Sequence, residues 1–220
     1  MSRDTKREWR RGLPRSVKLF STLRRLPLTT GSVQARPKPI RMGFMLDIVG
    51  YSRRDAWAQE RLQQRLVGLV RLMLDDLRVE LSDIDHQGTG DGLLVILPER
   101  VDVHRVLPAL LAFATRLLAE DNAMFQDRIR VRMAADIGPV RIAELGFEGV
   151  MVTNMARLLD STPLRDWVDE HPERDLSVAL SDSLHRFVVA EGTPELPAEQ
   201  FTQVHVQVNE TTSTGWLWTC

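Results

Sequence analysis

The stretch FMLDIVGYS (residues 44–52) places an aspartate at the end of an apolar run, close to a glycine. The stretch GTGDGLLVIL (residues 88–97) has a related arrangement, with Asp91 between two glycines and followed by the apolar run LLVIL. An aspartate beside a buried strand is costly to desolvate unless a positive group neutralises it. Either residue alone would be interpreted as a cap or turn carboxylate. Together they favour a shared function, with Asp47 and Asp91 converging at one edge of a sheet.

Two convergent carboxylates without a histidine or cysteine ligand are typical of a site for hard divalent cations. Mg²⁺ and Mn²⁺ are held by a couple of carboxylates, and substrate phosphates complete their coordination. A pair of such ions about 4 Å apart can activate an attacking oxygen and neutralise a leaving pyrophosphate. We therefore expect Asp47 and Asp91 to hold two divalent metal ions, Mg²⁺ or Mn²⁺. His86 is interpreted as a hairpin residue, with ligand contact as the less favoured alternative.

The order of hydrophobic patterns predicts an α+β fold of the ferredoxin-like sandwich type. The run FMLDIV predicts a first strand, and leucines at three- and four-residue spacing predict a helix over residues 55–79. The following elements are predicted as a hairpin at 82–98, a helix at 103–120 that starts or kinks at Pro108, and a strand pair at 128–145 broken at 137–139. The last elements are predicted as a two-part helix at 152–168, a strand at 177–181, a helix at 182–192 capped by Asp182 and ended by Gly192, and a hairpin of 201–208 with 214–220. This order predicts an antiparallel sheet covered on one face by helices.

Four motifs carry a resemblance to a known family: FMLDIVGYS, GTGDGLLVIL, RVRMAADIGPV and GFEGVMVTNMARLLD resemble the motif series of class III nucleotidyl cyclases. GDG alone is a weak signal, but four motifs in the same order and spacing are specific. The resemblance covers residues 42–220 as the catalytic domain and leaves residues 1–41 as a basic arm. The C-terminal segment and the short arrangement look most similar to Pycsar antiphage cyclases, which make cUMP or cCMP.

The resemblance implies a head-to-tail homodimer with two-fold symmetry and active sites between the subunits. Asp47 and Asp91 of one chain would hold two metal ions, with help from the backbone carbonyl of Ile48. The other chain would supply Arg157 to the triphosphate or the transition state. The ribose 3′ oxygen would attack the α-phosphorus in line, and pyrophosphate would leave. Such phosphoryl transfer depends on positioning and charge neutralisation more than on a covalent nucleophile.

Departures from the family pattern concern the substrate. The adenylate type has an asparagine four residues before the arginine of ARLLD, where this chain has Thr153. Either Asn154 serves from a shifted register, or Thr153 makes a weaker hydrogen bond. Gln87 and Gly146 stand at the two positions that recognise a purine base, and Asn209 replaces a phosphate-binding lysine. The resemblance therefore argues against ATP and GTP and fits a pyrimidine substrate or a degenerate site.

Tyr51 and three arginines are further candidates for the nucleotide site. Tyr51, the only tyrosine of the chain, either packs under the first helix or lines the nucleotide pocket and contacts ribose or base. Arg130, Arg132 and Arg141 alternate along the predicted strand pair. One of them is a candidate for contact with the base from the partner chain.

Charge is distributed unevenly along the sequence. Residues 1–41 hold twelve Lys or Arg against two acids, a net charge of +10, whereas the rest of the chain carries −11. The basic arm is interpreted as a flexible tail or a misassigned translation start. The alternative is an arm that binds nucleic acid or an anionic membrane. The acidic remainder would repel phosphate, which disfavours nucleic-acid binding by the domain itself.

The remaining sequence features concern location. The single cysteine, Cys220, excludes an intrachain disulfide, and no apolar run approaches the roughly 18 residues that span a bilayer. The N-terminal segment lacks the apolar region of a signal peptide. We therefore expect a soluble cytoplasmic protein without a transmembrane segment.

Three hypotheses follow for function. The leading one is a cyclase acting on a pyrimidine nucleoside triphosphate, with UTP ahead of CTP, whose product signals in antiphage defence to a separate effector. The second is a catalytically weak or inactive module that dimerises and regulates, with Asp47 and Asp91 as remnants. The third is a nucleic-acid-binding protein that acts through residues 1–41.

Overall fold

The computed structural model describes residues 38–144, 146–208 and 211–220, with the side chains of Val208 and Thr211 outside the description. Most of the basic arm and Asn209 therefore lie outside the described residues. The first strand begins at Ile40, so the last two residues assigned to the arm already belong to the sheet. Among the helices of the described segments, none is both long and apolar enough to cross a membrane.

Within the described residues, the main elements are seven strands of one sheet, two strands of a second small sheet, and five helices. The strands are β1 (Ile40–Ile48), β2 (Asp85–Gly88), β3 (Gly92–Ile96), β4 (Val131–Pro139), β5 (Arg141–Ala143), β6 (Gly146–Glu148), β7 (Leu176–Ser181), β8 (Phe201–Val208) and β9 (Thr211–Trp218). The helices are α1 (Ala56–Asp76), α2 (Val103–Met124), α3 (Val150–Leu159), α4 (Thr162–Glu170) and the short α5 (Asp182–Leu184), which continues into a π-helical turn (His185–Val189). Short 3₁₀ turns lie at Tyr51–Arg53 and Ala198–Gln200.

The large sheet has the strand order β2-β3-β1-β4-β7-β9-β8. Every neighbouring pair is antiparallel except β4 and β7, which run parallel. β1 lies between β3 and β4, so its C-terminal end meets both the turn before β3 and the start of β4. The predicted α+β fold, an antiparallel-rich sheet with helices, is confirmed.

Helices cover both faces of the sheet, so the predicted cover on one face only is wrong. Phe44 and Leu46 of β1 pack in a core with residues of α1 and α2, whereas Met45 packs with Met151 and Met155 of α3. Successive side chains of a strand point to opposite faces. β1 is apolar at nearly every position because both of its faces are buried, a pattern expected of a central strand.

Four local predictions need correction. Helix α2 begins at Val103 and continues through Pro108, so it does not start at the proline, and the predicted kink there stays a prediction. β4 runs through the predicted break to Pro139, because its full length pairs with β1. β5 pairs with β6 in the separate small sheet. Ser181, not Asp182, caps α5: its hydroxyl accepts from the Leu184 amide, whereas the Asp182 carboxylate accepts from the Trp216 indole at 3.1 Å.

Candidate active site

The β1–β3 pair places the two predicted metal ligands next to each other. Asp47 is the register partner of Gly92, the residue that follows Asp91. The Ile48 amide donates to the carbonyl oxygen of Asp91 at 3.1 Å, which joins the end of β1 to the turn before β3. The structure thus brings Asp47, Ile48 and Asp91 together, and their role as metal ligands stays a prediction.

Gly92 makes this close approach possible. A Cβ atom at position 92 would lie 1.9 Å from the carbonyl oxygen of Leu46, far inside the contact distance of the two atoms. Any side chain there would push β3 away from β1. Glycine at this position therefore keeps Asp91 beside the end of β1.

Asp47 is buried, with 6% of its surface exposed, and pairs with Arg132 on β4. The Nε of Arg132 donates to Oδ1 of Asp47 at 2.9 Å, and a terminal guanidinium nitrogen donates to Oδ2. Burial raises the pKa of Asp47, the Arg132 guanidinium opposes this rise, and the negative charges of Asp91 and Asp160 add to it. A buried carboxylate needs a neighbouring positive charge to stay ionised, and the Arg132 guanidinium supplies that charge. Sequence reasoning had grouped Arg132 with candidate base contacts and missed this pairing.

The donor atoms at this edge of the sheet fit a hard divalent cation. Asp91 is half-buried, and within the described residues its carboxylate has no hydrogen-bond or ion-pair partner. The same residues contain no group of three or more His, Cys, Asp or Glu side chains that would hold a metal by themselves. Two carboxylates and the Ile48 carbonyl leave several positions to water and substrate oxygens, as Mg²⁺ commonly requires. These three residues are therefore the candidate ligands.

Tyr51 lies on the 3₁₀ turn after β1, and its ring packs against the core beneath α1. Its hydroxyl accepts a hydrogen bond from Nε2 of Gln63 at 2.8 Å. The same amide nitrogen donates to the carbonyl oxygen of Gly90, the residue before Asp91. Of the two interpretations of Tyr51, the contacts favour packing, with the hydroxyl linked through Gln63 to the turn that holds Asp91.

The two positions predicted to recognise the base, Gln87 and Gly146, are in contact. A Cβ atom at position 146 would lie 2.5 Å from Oε1 of Gln87, and Gly146 has a φ of 124°, which favours glycine. Both residues line a cleft of about 520 Å³. Its other lining residues are Ile84, Asp85, His86, Ile142 and Phe147. The structure therefore joins these two positions into one wall, with His86 of β2 beside them.

The three residues predicted to contact the substrate all lie on helix α3, but they differ in their surroundings. Thr153 is exposed, and Arg157 lies one helical turn further on the same side. Arg157 is half-buried and has no hydrogen-bond or ion-pair partner in the part of the chain that the structure describes. Asn154 is also half-buried but does have a partner: its side-chain amide donates to Oδ2 of Asp136 at 3.3 Å. Thr153 and Arg157 are therefore available to a ligand, whereas Asn154 is engaged within the fold.

Asp136 on β4 is a buried carboxylate that sequence reasoning missed, with 1% of its surface exposed. It accepts hydrogen bonds from the Ile137 amide at 2.7 Å, the Ser181 hydroxyl and the Asn154 amide. Burial raises the pKa of Asp136, and these three hydrogen bonds oppose the rise. Asp136 thus links α3 to β4 and β7. The available signal in the sequence was one acid at the end of the apolar strand segment MAAD.

Arg130 and Arg141, the other two candidates for base contact, are engaged within the chain. Arg130 donates to the backbone carbonyl oxygens of Val168, His171 and Arg174. Arg141 donates to Glu148 across the β5–β6 pair at 2.7 Å. These contacts give both arginines a structural explanation, and the hypothesis that one of them reaches the base loses its support.

The sequence matches no family model, and none of the curated proteins matches it either. The fold does match solved structures of cyclase catalytic domains, at low sequence identity. One is an adenylate/guanylate cyclase/hydrolase from Silicibacter pomeroyi, with 20% identity, a TM-score of 0.56, and coverage of 82% of this chain and 98% of that chain. Another is the guanylate cyclase domain of RhGC from Catenaria anguillulae in complex with GTP, with 15% identity, a TM-score of 0.55, and coverage of 84% and 99%.

A third similar structure is a non-canonical dimeric guanylyl cyclase domain of the RhoGC fusion protein from the aquatic fungus Blastocladiella emersonii. It shares 15% identity and a TM-score of 0.54, and the match covers 84% of this chain and 98% of that one. The described residues therefore have the fold of class III adenylate and guanylate cyclase catalytic domains. At these identities the likeness extends to the fold alone.

Proposed function

We propose that this protein is a nucleotidyl cyclase that converts a pyrimidine nucleoside triphosphate to the 3′,5′-cyclic monophosphate and pyrophosphate. The observation that carries the proposal is the pair of carboxylates, Asp47 and Asp91, held side by side at the β1–β3 edge of a cyclase fold. In the reaction, the ribose 3′ oxygen forms a bond to the α-phosphorus. The bond between the α-phosphorus and the oxygen that bridges it to the β-phosphorus breaks, and pyrophosphate leaves with that oxygen. The 3′ hydroxyl proton passes to solvent.

Asp47, Asp91 and the Ile48 carbonyl would hold Mg²⁺ or Mn²⁺ in this proposal. The ions, when bound, supply the positive charge that favours ionisation of the 3′ hydroxyl and neutralises the pyrophosphate. The Asp91 carboxylate has no hydrogen-bond or ion-pair partner among the described residues and is therefore available to bind such an ion. Asp47, held by Arg132, is oriented along the same edge.

Arg157 and Thr153 would act from a second copy of the chain. No hydrogen bond or ion pair among the described residues joins Arg157 to Asp47 or Asp91, and Thr153 is exposed. A two-fold dimer would bring them to the triphosphate of the neighbouring site, where a guanidinium stabilises developing negative charge. The cyclase domain from Blastocladiella emersonii has been solved as a non-canonical dimer and also as a monomer, so the two-fold dimer of this chain rests on the resemblance to class III cyclases.

The cleft at Gln87 and Gly146 is the candidate site for the base, and the choice of a pyrimidine rests on the departures from the purine-binding pattern at these two positions. Gly146 contributes no side chain, so the Gln87 amide is the group left to recognise the base in this wall. An amide offers both a donor and an acceptor, and the edges of pyrimidines, like those of purines, present such a pair. Two further parts of the proposal rest on the resemblance to Pycsar cyclases. They are the preference for UTP over CTP and the role of the product as a signal to a separate effector in antiphage defence.

A second candidate function, a regulatory module with little activity, is favoured by two observations. Arg132 already neutralises Asp47, and threonine stands where the family has asparagine. Such a module would dimerise and bind nucleotide without turnover.

Product analysis tests the proposal. The full chain is incubated with each of the four nucleoside triphosphates and Mn²⁺ or Mg²⁺, and cyclic nucleotides are identified by mass spectrometry. We expect cUMP, with less cCMP, and loss of product in Asp91→Asn. The charge-matched control Asp75→Asn changes an exposed acid on α1 and should retain activity. A purine product would refute the substrate assignment, and no product from any nucleotide would favour the regulatory module.

A further inference from the structure

We propose that Arg132 competes with the divalent cation for Asp47, so that the substrate-free protein binds metal weakly and takes it up together with the triphosphate. This inference rests on the proposed function, since it requires Asp47 to be a metal ligand. It assigns to Arg132 the role of a latch on the site. The latch is an ion pair within one chain, formed between neighbouring strands.

The geometry of the pair occupies both carboxylate oxygens of Asp47. One guanidinium nitrogen donates to Oδ1 at 2.9 Å and another to Oδ2. Asp47 and Arg132 are register partners of β1 and β4, so the pair forms between side chains fixed opposite each other. Both are largely buried, with side chains 9% and 16% exposed, where water screens their attraction poorly. A divalent cation on Asp47 would have to share the carboxylate with a guanidinium of the same sign.

The contacts of Arg132 set it apart from two other largely buried arginines, Arg41 and Arg65. Arg41 binds Asp85 and also two backbone carbonyl oxygens, and Arg65 binds Asp121 and the carbonyl oxygen of Asp127. Within the described residues, the guanidinium of Arg132 hydrogen-bonds only to Asp47. No other group therefore retains it when Asp47 takes a metal ion. Once Asp47 releases it, the Arg132 guanidinium is a positive charge that needs another anionic partner.

Release of the latch is favourable when the cation arrives with its own anion. Under the proposed function that anion is a nucleoside triphosphate, whose phosphate oxygens accept strong hydrogen bonds from a guanidinium. Metal alone would leave Arg132 without a partner in a poorly hydrated site. Metal and triphosphate should therefore bind with positive coupling, and metal alone should bind weakly.

Equilibrium binding of Mn²⁺ to the full-length, nucleotide-free protein tests the latch, with free Mn²⁺ followed by electron paramagnetic resonance at pH 8. Arg132→Gln should bind Mn²⁺ about tenfold or more tightly than the wild type, because the competing charge is gone. Arg132→Lys, which cannot make the two-pronged pair, should be intermediate and serves if Arg132→Gln does not fold. Arg100→Gln, which removes an exposed surface charge, is the control and should bind Mn²⁺ as the wild type does.

Two further variants separate the latch from the proposed function. Asp47→Asn and Asp91→Asn, each combined with Arg132→Gln, should lower the Mn²⁺ affinity of that variant. If they do, and yet Arg132→Gln and Arg132→Lys bind Mn²⁺ no more tightly than the wild type, the latch is refuted and the metal site stands. If neither aspartate affects Mn²⁺ binding, the metal site itself is misplaced, and both proposals fail.

Discussion

At the residue scale, Gly92 is the position where the site depends most directly on the absence of a side chain. A methyl group there would meet the Leu46 carbonyl at 1.9 Å, and backbone on both strands would have to move. We predict that Gly92→Ala lowers the free energy of unfolding by about 3 kcal/mol or more, as severe overpacking does. Urea unfolding followed by circular dichroism measures it.

Gly88→Ala is the matched control, since it lies in the same hairpin and a Cβ atom there would meet no atom within 4 Å. We expect a change of less than about 1 kcal/mol for this variant. Equal losses in the two variants would mean that close packing of β3 on β1 is not what position 92 provides.

Asp136 gives a prediction about pH. Its pKa is raised in the folded protein by burial, so the folded state binds the proton more tightly than the unfolded state. Its contribution to stability is therefore full below the ordinary aspartate pKa and is lost as the pH rises through the raised pKa. We predict that the stability of the wild type relative to Asp136→Asn decreases from pH 4 to pH 7, by up to about 1.4 kcal/mol per pH unit.

Urea unfolding of both proteins at several pH values measures this difference, and the contribution of Asp47, present in both, cancels. A difference that stays constant or grows with pH would contradict the raised pKa.

Single residues also show the limits of sequence reasoning. Asp47 and Asp91 were found because each follows or precedes an apolar run, a local pattern. The partnership of Asp47 with Arg132 spans 85 positions, and it depends on the register of β1 against β4. No local pattern specifies that register, so neither this pair nor the role of Asp136 was predicted.

At the element scale, neighbouring residues of α3 have different surroundings. Thr153 is exposed and Arg157 has no hydrogen-bond or ion-pair partner among the described residues, while Asn154 bonds to buried Asp136. We predict that Thr153→Ala lowers turnover about tenfold with unchanged stability, since it removes one hydrogen bond to the reacting groups. Asn154→Ala should instead cost about 1–2 kcal/mol of stability, since it removes a donor from a buried carboxylate.

Thermal unfolding and steady-state product formation on the same preparations distinguish the two residues. The assignment is wrong if Asn154→Ala loses activity at full stability while Thr153→Ala behaves like the wild type.

Element types were predicted well where the pattern was long, as in α1, or where glycines marked the turn, as in the β2–β3 hairpin. The errors arose where tertiary pairing decides. β4 continues to Pro139 because β1 offers partners along its length, and β5 leaves the large sheet to pair with β6. The packing of helices on both faces of the large sheet was likewise not predicted, although the nearly continuous apolar run of β1 indicates it.

At the scale of the whole molecule, the proposed function requires two chains for one site. The candidate metal ligands lie at the β1–β3 edge, whereas Arg157 on α3 has no partner among the described residues. A two-fold dimer contains two such composite sites, each with Asp91 from one chain and Arg157 from the other.

The most direct test of this central claim mixes two inactive variants. Asp91→Asn and Arg157→Ala, each alone, should form almost no cyclic nucleotide. When they are mixed equally and allowed to exchange subunits, half the dimers are mixed and each has one intact site, so activity should return to about a quarter of that of the wild type. Activity that stays at the level of the separate variants, in a mixture shown to contain mixed dimers, would contradict the account.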